Sequence, residues 1–251
     1  MNLPPDYKPG WNLYQIWHEE KPGIITLDLG WHNVAPFNEL PHLGMLSLLY
    51  QEETGNGFIS PAESERLAPV EDRLIGQILQ SQPSVHVAFF TFDGSRRLVF
   101  YLSEPETFRI AVESLMKDLP WRYYVQVVEN DNWGYYNEFL YPDAYSMQDI
   151  HTHSLLRQLE QHGDRPEVPR QVDYHTLFGD EAEAQRYASR ISEEGFDAVH
   201  VERSENGFSV EFKKTHPVDF DTIQENVYRA MNHIEENGSG FFGGWGCSVV
   251  K

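Results

Sequence analysis

Apolar residues recur along this chain with two periods, and each switch between them outlines an element. From Val172 the period is two: Val172, Tyr174, Thr176 and Phe178 alternate with Asp173, His175 and Leu177. Such alternation predicts a strand with one buried face. Gly179 breaks it, and Asp180 stands three residues before Glu183, the spacing of a helix cap and the acid that returns the hydrogen bond. Ala184, Tyr187, Ala188 and Ile191 then follow at helical spacing, up to Gly195, a natural left-handed stop. Ala198 to Arg203 reads as a strand, Asn206-Gly207 as a tight hairpin, and Phe208, Val210 and Phe212 as the returning strand. Past Pro217, Asp219 caps a helix whose stripe is Phe220, Ile223, Val227, Met231 and Ile234. Asn237-Gly238 ends that helix, and Phe241 to Val250 reads as a fourth strand. The order is β-α-β-β-α-β. Two right-handed crossovers of this kind give a four-stranded antiparallel sheet with both helices on one face, the ferredoxin-like arrangement.

The same order appears earlier. Trp11 to Trp17 and Ile24 to Leu29 form a hairpin around Glu19 to Gly23. Leu43 to Tyr50 is an apolar run of strand length. Ser60-Pro61, with Glu63, opens a helix running to about Gln82, with Pro69 placed to kink or split it. Val85 to Phe92 and Arg97 to Leu102 flank an Asp93-Gly94 turn. Glu104-Pro105-Glu106 starts a helix with the stripe Phe108, Val112, Leu115 and Met116; Pro120 ends it, and Arg122 to Val128 is one more strand. The predicted class is therefore α+β, with two ferredoxin-like antiparallel-sheet domains, the first carrying an extra N-terminal hairpin. Asp143 to Gly163 reads as a connecting helix and Asp164 to Pro169 as a stiffened linker. The expected domains are 1–145 and 168–251, joined by 146–167.

Charge narrows the function classes. The formal net charge is −20, from 39 acids against 19 bases. It divides as −11 over 1–145, −2 over 146–167 and −7 over 168–251. Acidity spread in this way disfavours direct nucleic-acid or membrane binding and suits either solubility or a basic protein surface. Arg96-Arg97 and Lys213-Lys214 are isolated basic pairs at the ends of the two central hairpins. One cysteine, Cys247, allows neither an internal disulfide nor a thiolate zinc site. Met1 to Pro5 lacks the pattern of a signal peptide, and no apolar run reaches membrane-spanning length. The expected setting is the cytoplasm.

Candidate chemistry is sparse. No Gly-x-Ser-x-Gly elbow and no phosphate-binding glycine loop ending in Lys-Ser or Lys-Thr is present, so no residue is assigned a catalytic role and no cofactor is expected. His151-Thr152-His153 has metal-ligand residue types, but positions i and i+2 of a helix point about 200° apart, so no metal site is expected there. Asp131, Trp133 and Tyr135 follow a strand end. They read either as a pocket lining or as a turn whose Asp holds backbone amides while the aromatics pack on the sheet. Gly243-Gly244-Trp245-Gly246 places three glycines around one tryptophan. Either a bulge folds Trp245 onto the sheet, or Trp245, with Phe242 and Gly244, forms a partner-facing anchor.

The Asp219-to-Asn237 helix and the Gly-Gly-Trp-Gly ending resemble the regulator of ribonuclease E activity B family. That resemblance covers about 80 residues. It implies a ferredoxin-like, acidic, non-catalytic domain that binds and inhibits an endoribonuclease. Residues of roughly 10–140 resemble domain of unknown function 695, on the Phe89-to-Tyr101 hairpin and the stretch from Asp131-Asn132-Trp133 to Phe139. This second resemblance implies a bacterial fold without an established activity. The expected function is a non-enzymatic protein-binding module acting on a ribonuclease or another RNA-processing partner. The alternative is a hydrolase or small-molecule binder using a cleft between the domains near Asp131, Trp133 and Tyr135.

Overall fold

The computed structural model describes residues 3–205, 207–237 and 239–251. It divides into two compact units, Met1–Pro142 and Asp143–Lys251. The first holds β1 (Trp11–His18), β2 (Lys21–Asp28), β3 (His42–Leu49), α1 (Pro61–Ser81), β4 (Ser84–Phe92), β5 (Ser95–Leu102), α2 (Pro105–Met116) and β6 (Tyr123–Val128). Its antiparallel sheet has the order β1-β2-β4-β5-β3-β6. From β3 onward this is the ferredoxin-like order, and the extra hairpin extends the sheet by pairing β2 to β4. Its turn is two residues, Glu19 and Glu20, both left-handed at φ 48° and 64°. That geometry matches the right-handed twist of the flanking strands. Ser60 caps α1 through its hydroxyl to the Glu63 amide, and the helix runs unbroken past Pro69, which sits on its exposed side.

Both faces of the middle of this sheet are covered. On one, α1 and α2 enclose Leu46, Leu98, Phe100, Phe108 and Trp121. On the other lie two irregular segments, whose Trp31, Leu40, Trp133, Tyr136 and Leu140 are all buried. Asp28 ties the N-terminal segment to this layer: its carboxylate accepts from the Tyr7 hydroxyl and from the Gly10 and Gly30 amides. The Tyr136 hydroxyl donates to the Asp28 carbonyl.

The second unit holds α3 (Ala144–Gln161), β7 (Arg170–Phe178), α4 (Glu181–Glu193), β8 (Asp197–Ser204), β9 (Gly207–His216), α5 (Phe220–Asn237) and β10 (Phe241–Cys247). The sheet order β10-β7-β9-β8 is ferredoxin-like. Val172, Tyr174, Phe178, Tyr187, Ile191, Val210, Phe212, Ile223 and Val227 form its core. Asn206, Gly238, Met1 and Asn2, on which the expected hairpin, helix stop and N-terminus fall, lie outside the described residues. The connecting helix α3 packs on α5: Tyr145 meets Tyr228 edge-on at 5.0 Å, and Asp149 accepts from the Tyr228 hydroxyl at 2.7 Å and from Gln224 at 3.0 Å. The stretch read as a linker is also held. The Asp164 carboxylate is ion-paired to Arg170, and both side chains are almost wholly buried. Asp164 also accepts the Val250 amide at 2.7 Å, while the Arg165 amide donates to the Val250 carbonyl at 2.9 Å. Those bonds turn Val250 away from the sheet, so the last strand ends at Cys247 rather than Val250.

Candidate functional site

The distinctive end of the chain forms an edge strand, and its glycines decide its shape. The β10–β7 register shifts between Phe242 and Gly244, leaving Gly243 in a bulge. A Cβ on Gly243 would lie 2.0 Å from His175 Nε2, so the imidazole occupies the space a side chain would need. Gly244 has φ +128°, a conformation that other residues rarely adopt. The bulge reverses which side chains point inward. Phe242 is buried in the core, and Trp245 lies half-buried against it with its indole N–H donating to Thr152 Oγ1 at 3.0 Å. Thr152 is buried on α3, so Trp245 pins that helix to the sheet. Gly244 carries no side chain between them.

Phe241, one residue earlier, is 64% exposed. It pairs in register with Leu177 on the face opposite the helices. On that uncovered face His175, Glu211 and His200 form one cross-strand row, and Asp173 pairs with Lys213 at 3.2 Å in the next. Phe241 was not singled out from sequence. Two adjacent phenylalanines must point to opposite faces, but which one points inward depends on the register with β7. The outer edge of β10 pairs with no other strand among the described residues. Glycines at 243, 244 and 246 keep side chains off most of the strand. An uncovered edge beside an exposed aromatic is the geometry to which an extended segment of a partner adds as a strand.

In the first unit, Asp131 and Tyr135 are brought together through Tyr101. The Asp131 carboxylate accepts from the Tyr101 hydroxyl at 2.6 Å and from the Tyr135 amide at 3.1 Å. Burial, reinforced by Asp131, pushes the Tyr101 phenol far above its usual range. The Tyr135 hydroxyl accepts from Arg97 at 2.9 Å, and burial also raises its pKa. Trp133 has no exposed surface. It stacks on Tyr101 at 4.0 Å, nearly parallel, and its N–H donates to the Phe37 and Leu40 carbonyls. Asn130, Asn132 and Trp133 are all left-handed, which turns the chain so that the indole enters the core. The three residues thus form a turn that packs its aromatics on the sheet. On α3, His153 stacks on Phe220 at 4.0 Å, and buried Thr152 separates it from exposed His151. Among the described residues no three His, Cys, Asp or Glu side chains are grouped to hold a metal ion, and no helix is long and apolar enough to cross a membrane.

These features define a two-domain α+β protein with a ferredoxin-like sheet in each unit. Residues 9–141 match the model of a family of unknown function, DUF695, and the chain belongs to that family. Residues 149–247 match the model of Regulator of ribonuclease activity B, so the second unit is similar to a regulator of ribonuclease activity. Comparison with curated proteins gives no match. Among solved structures, an unknown protein from Galdieria sulphuraria aligns over 81% of this chain and 98% of its own, at 11% identity and a TM-score of 0.22, too low to support an argument.

Proposed function

We propose that this protein is a non-catalytic regulator whose second unit binds a ribonuclease, or a protein associated with one, through the β10 edge and the uncovered sheet face beside it. The match of residues 149–247 to a regulator of ribonuclease activity carries the reading. The exposed Phe241, the glycine-bared strand and the acidic composition support it. A partner segment that adds to β10 takes main-chain hydrogen bonds from the strand and sets an apolar residue against Phe241. Basic residues flanking that segment face an acidic chain, which speeds encounter more than it deepens affinity. In this role Phe242 and Trp245 hold the strand in place from beneath, and Gly244 allows the turn between them. The setting is the cytoplasm, and no nucleic acid is touched directly.

The test is isothermal titration of the full chain against a purified endoribonuclease of the ribonuclease E type, with substrate cleavage followed in parallel. Binding with slowed cleavage is expected. Phe241→Glu, at an exposed position, should weaken binding by about tenfold or more, as a central aromatic contact does. Absence of both binding and inhibition, or binding indifferent to Phe241→Glu, overturns the proposal.

A further inference from the structure

The opposite unit carries a second edge of a different kind. Among the described residues β1 pairs with β2 alone and ends the six-stranded sheet. Edge strands are ordinarily protected by charged residues, most often lysine. β1 has none: its eight residues, WNLYQIWH, contain no Asp, Glu, Lys or Arg in a chain with 39 acids and 19 bases. Three large apolar side chains on one face of it are exposed: Leu13 at 56%, Trp17 at 68%, and Trp11 at 44%, the last with its ring stacked on His86 at 5.4 Å and its outer part open. Taking roughly 250 Å² for a whole tryptophan, Trp11 and Trp17 together expose about 280 Å², with Leu13 between them along the same face.

The same residues aim their backbones outward. His18 and Lys21 close the two-residue turn. The closing pair of such a hairpin is hydrogen-bonded, and bonding alternates from there. The even-numbered residues of β1 therefore bond to β2. Trp11, Leu13, Gln15 and Trp17 turn their amides and carbonyls to the free edge.

We propose that β1 is the seam of a homodimer, in which two copies pair antiparallel about a two-fold axis at Tyr14. Outward-bonding residues must face one another, so Trp11 of each copy lies opposite Trp17 of the other and Leu13 opposite Gln15. Any shift by two residues leaves a tryptophan without its opposite number. This pairing sets the aromatic residues of both copies side by side on one face of a continuous sheet. Charge selects the occupant. Along the seam no like charges meet, although the chain as a whole is strongly acidic. Beyond each end, Lys8 of one copy approaches the Glu19-Glu20 turn of the other. A foreign basic strand would find no carboxylate on β1, whereas a second copy finds its complement.

Sedimentation velocity of the full chain across the micromolar range tests the seam. A concentration-dependent dimer is expected. Leu13→Lys, at an exposed position and counted twice by the symmetry, should raise the dimer dissociation constant by roughly tenfold or more while leaving the circular dichroism spectrum unchanged. Lys8→Glu should weaken the dimer, and adding Glu19→Lys and Glu20→Lys to it should restore the dimer. A chain monomeric throughout, or a dimer indifferent to Leu13→Lys, overturns the seam. A dimer weakened by Leu13→Lys but deaf to the charge exchange overturns the antiparallel pairing. The charge variants keep the test valid if Leu13→Lys fails to fold.

Discussion

Replacing Asp164 by asparagine removes the negative half of a buried ion pair and leaves the Arg170 guanidinium behind. The Asp164 and Arg170 side chains are 2% and 6% exposed. Arg170 also donates to the Arg165 and Val168 carbonyls at 3.2 and 3.3 Å, so it has no easy route to water. Removing one partner of such a pair costs about 3–5 kcal/mol, because the remaining charge stays desolvated. Asparagine keeps an acceptor for the Val250 amide, so the lower end applies, about 3 kcal/mol. Against a domain stability of about 5–15 kcal/mol that is a large share, and it lowers the midpoint of the second unit by on the order of 10–20 °C. Urea unfolding of the full chain, read by hydrogen exchange of peptides from 143–251, isolates that unit. The pH dependence gives a second check. Burial pushes the Asp164 carboxyl upward, but hydrogen bonds from the Val250 amide and from Arg170 outweigh it, so its folded pKa lies below the usual value. A depressed carboxyl stabilises the fold above its unfolded pKa and loses that contribution as pH falls through the folded one. The wild type should therefore lose stability in acid over a window where Asp164→Asn does not. A cost under about 1 kcal/mol, the value of an exposed pair, would refute the reasoning.

Two further outcomes follow from single residues. Glu63 is fully buried and accepts from the Gln51 and Glu52 amides and from the Trp121 indole at 2.8 Å. Glu63→Ala leaves these donors unpaired and should destabilise the first unit by about 3 kcal/mol, measured by urea denaturation; a loss below about 1 kcal/mol contradicts the assigned bonds. Trp245→Phe keeps an aromatic ring but removes the N–H to Thr152. It should cost about 1 kcal/mol and speed amide exchange in α3 more than in α4; equal change in both helices would show that Trp245 does not pin α3.

Much of the fold follows from local pattern. The alternation at Val172 to Phe178 names the buried face of β7, and each of those four positions is buried as the period requires. Ser60, Asp180 and Asp219 cap the helices they precede, because a short side-chain acceptor reaches the amide three residues on wherever the chain turns into a helix. The repeated element order gave two ferredoxin-like sheets, because chain connectivity and handedness leave few other packings. The segment between β2 and β3 could not be read this way, and the one after β6 offered a turn or a pocket without deciding between them. They carry no period, and their Trp31, Trp133 and Tyr136 are buried only because the sheet offers a second face for them to cover.

The candidate site shows the same division. Glycines at 243, 244 and 246 announce a strand that is bent or bared, since only a special backbone or a close neighbour calls for so many together. They do not say that His175 fills the space over Gly243, nor that the register with β7 sends Phe242 inward, leaves Phe241 in water and, past the bulge, turns Trp245 back onto the core. The stretch from Asp164 to Pro169 reads as a linker by composition, yet a buried Asp164–Arg170 pair holds it against the end of the chain. Periods, caps and turn residues act over a few positions, so the amino-acid order alone determines the elements and their buried faces. Register shifts, ion pairs between distant residues and the exposure of an edge depend on which segments meet. Only the tertiary structure decides those.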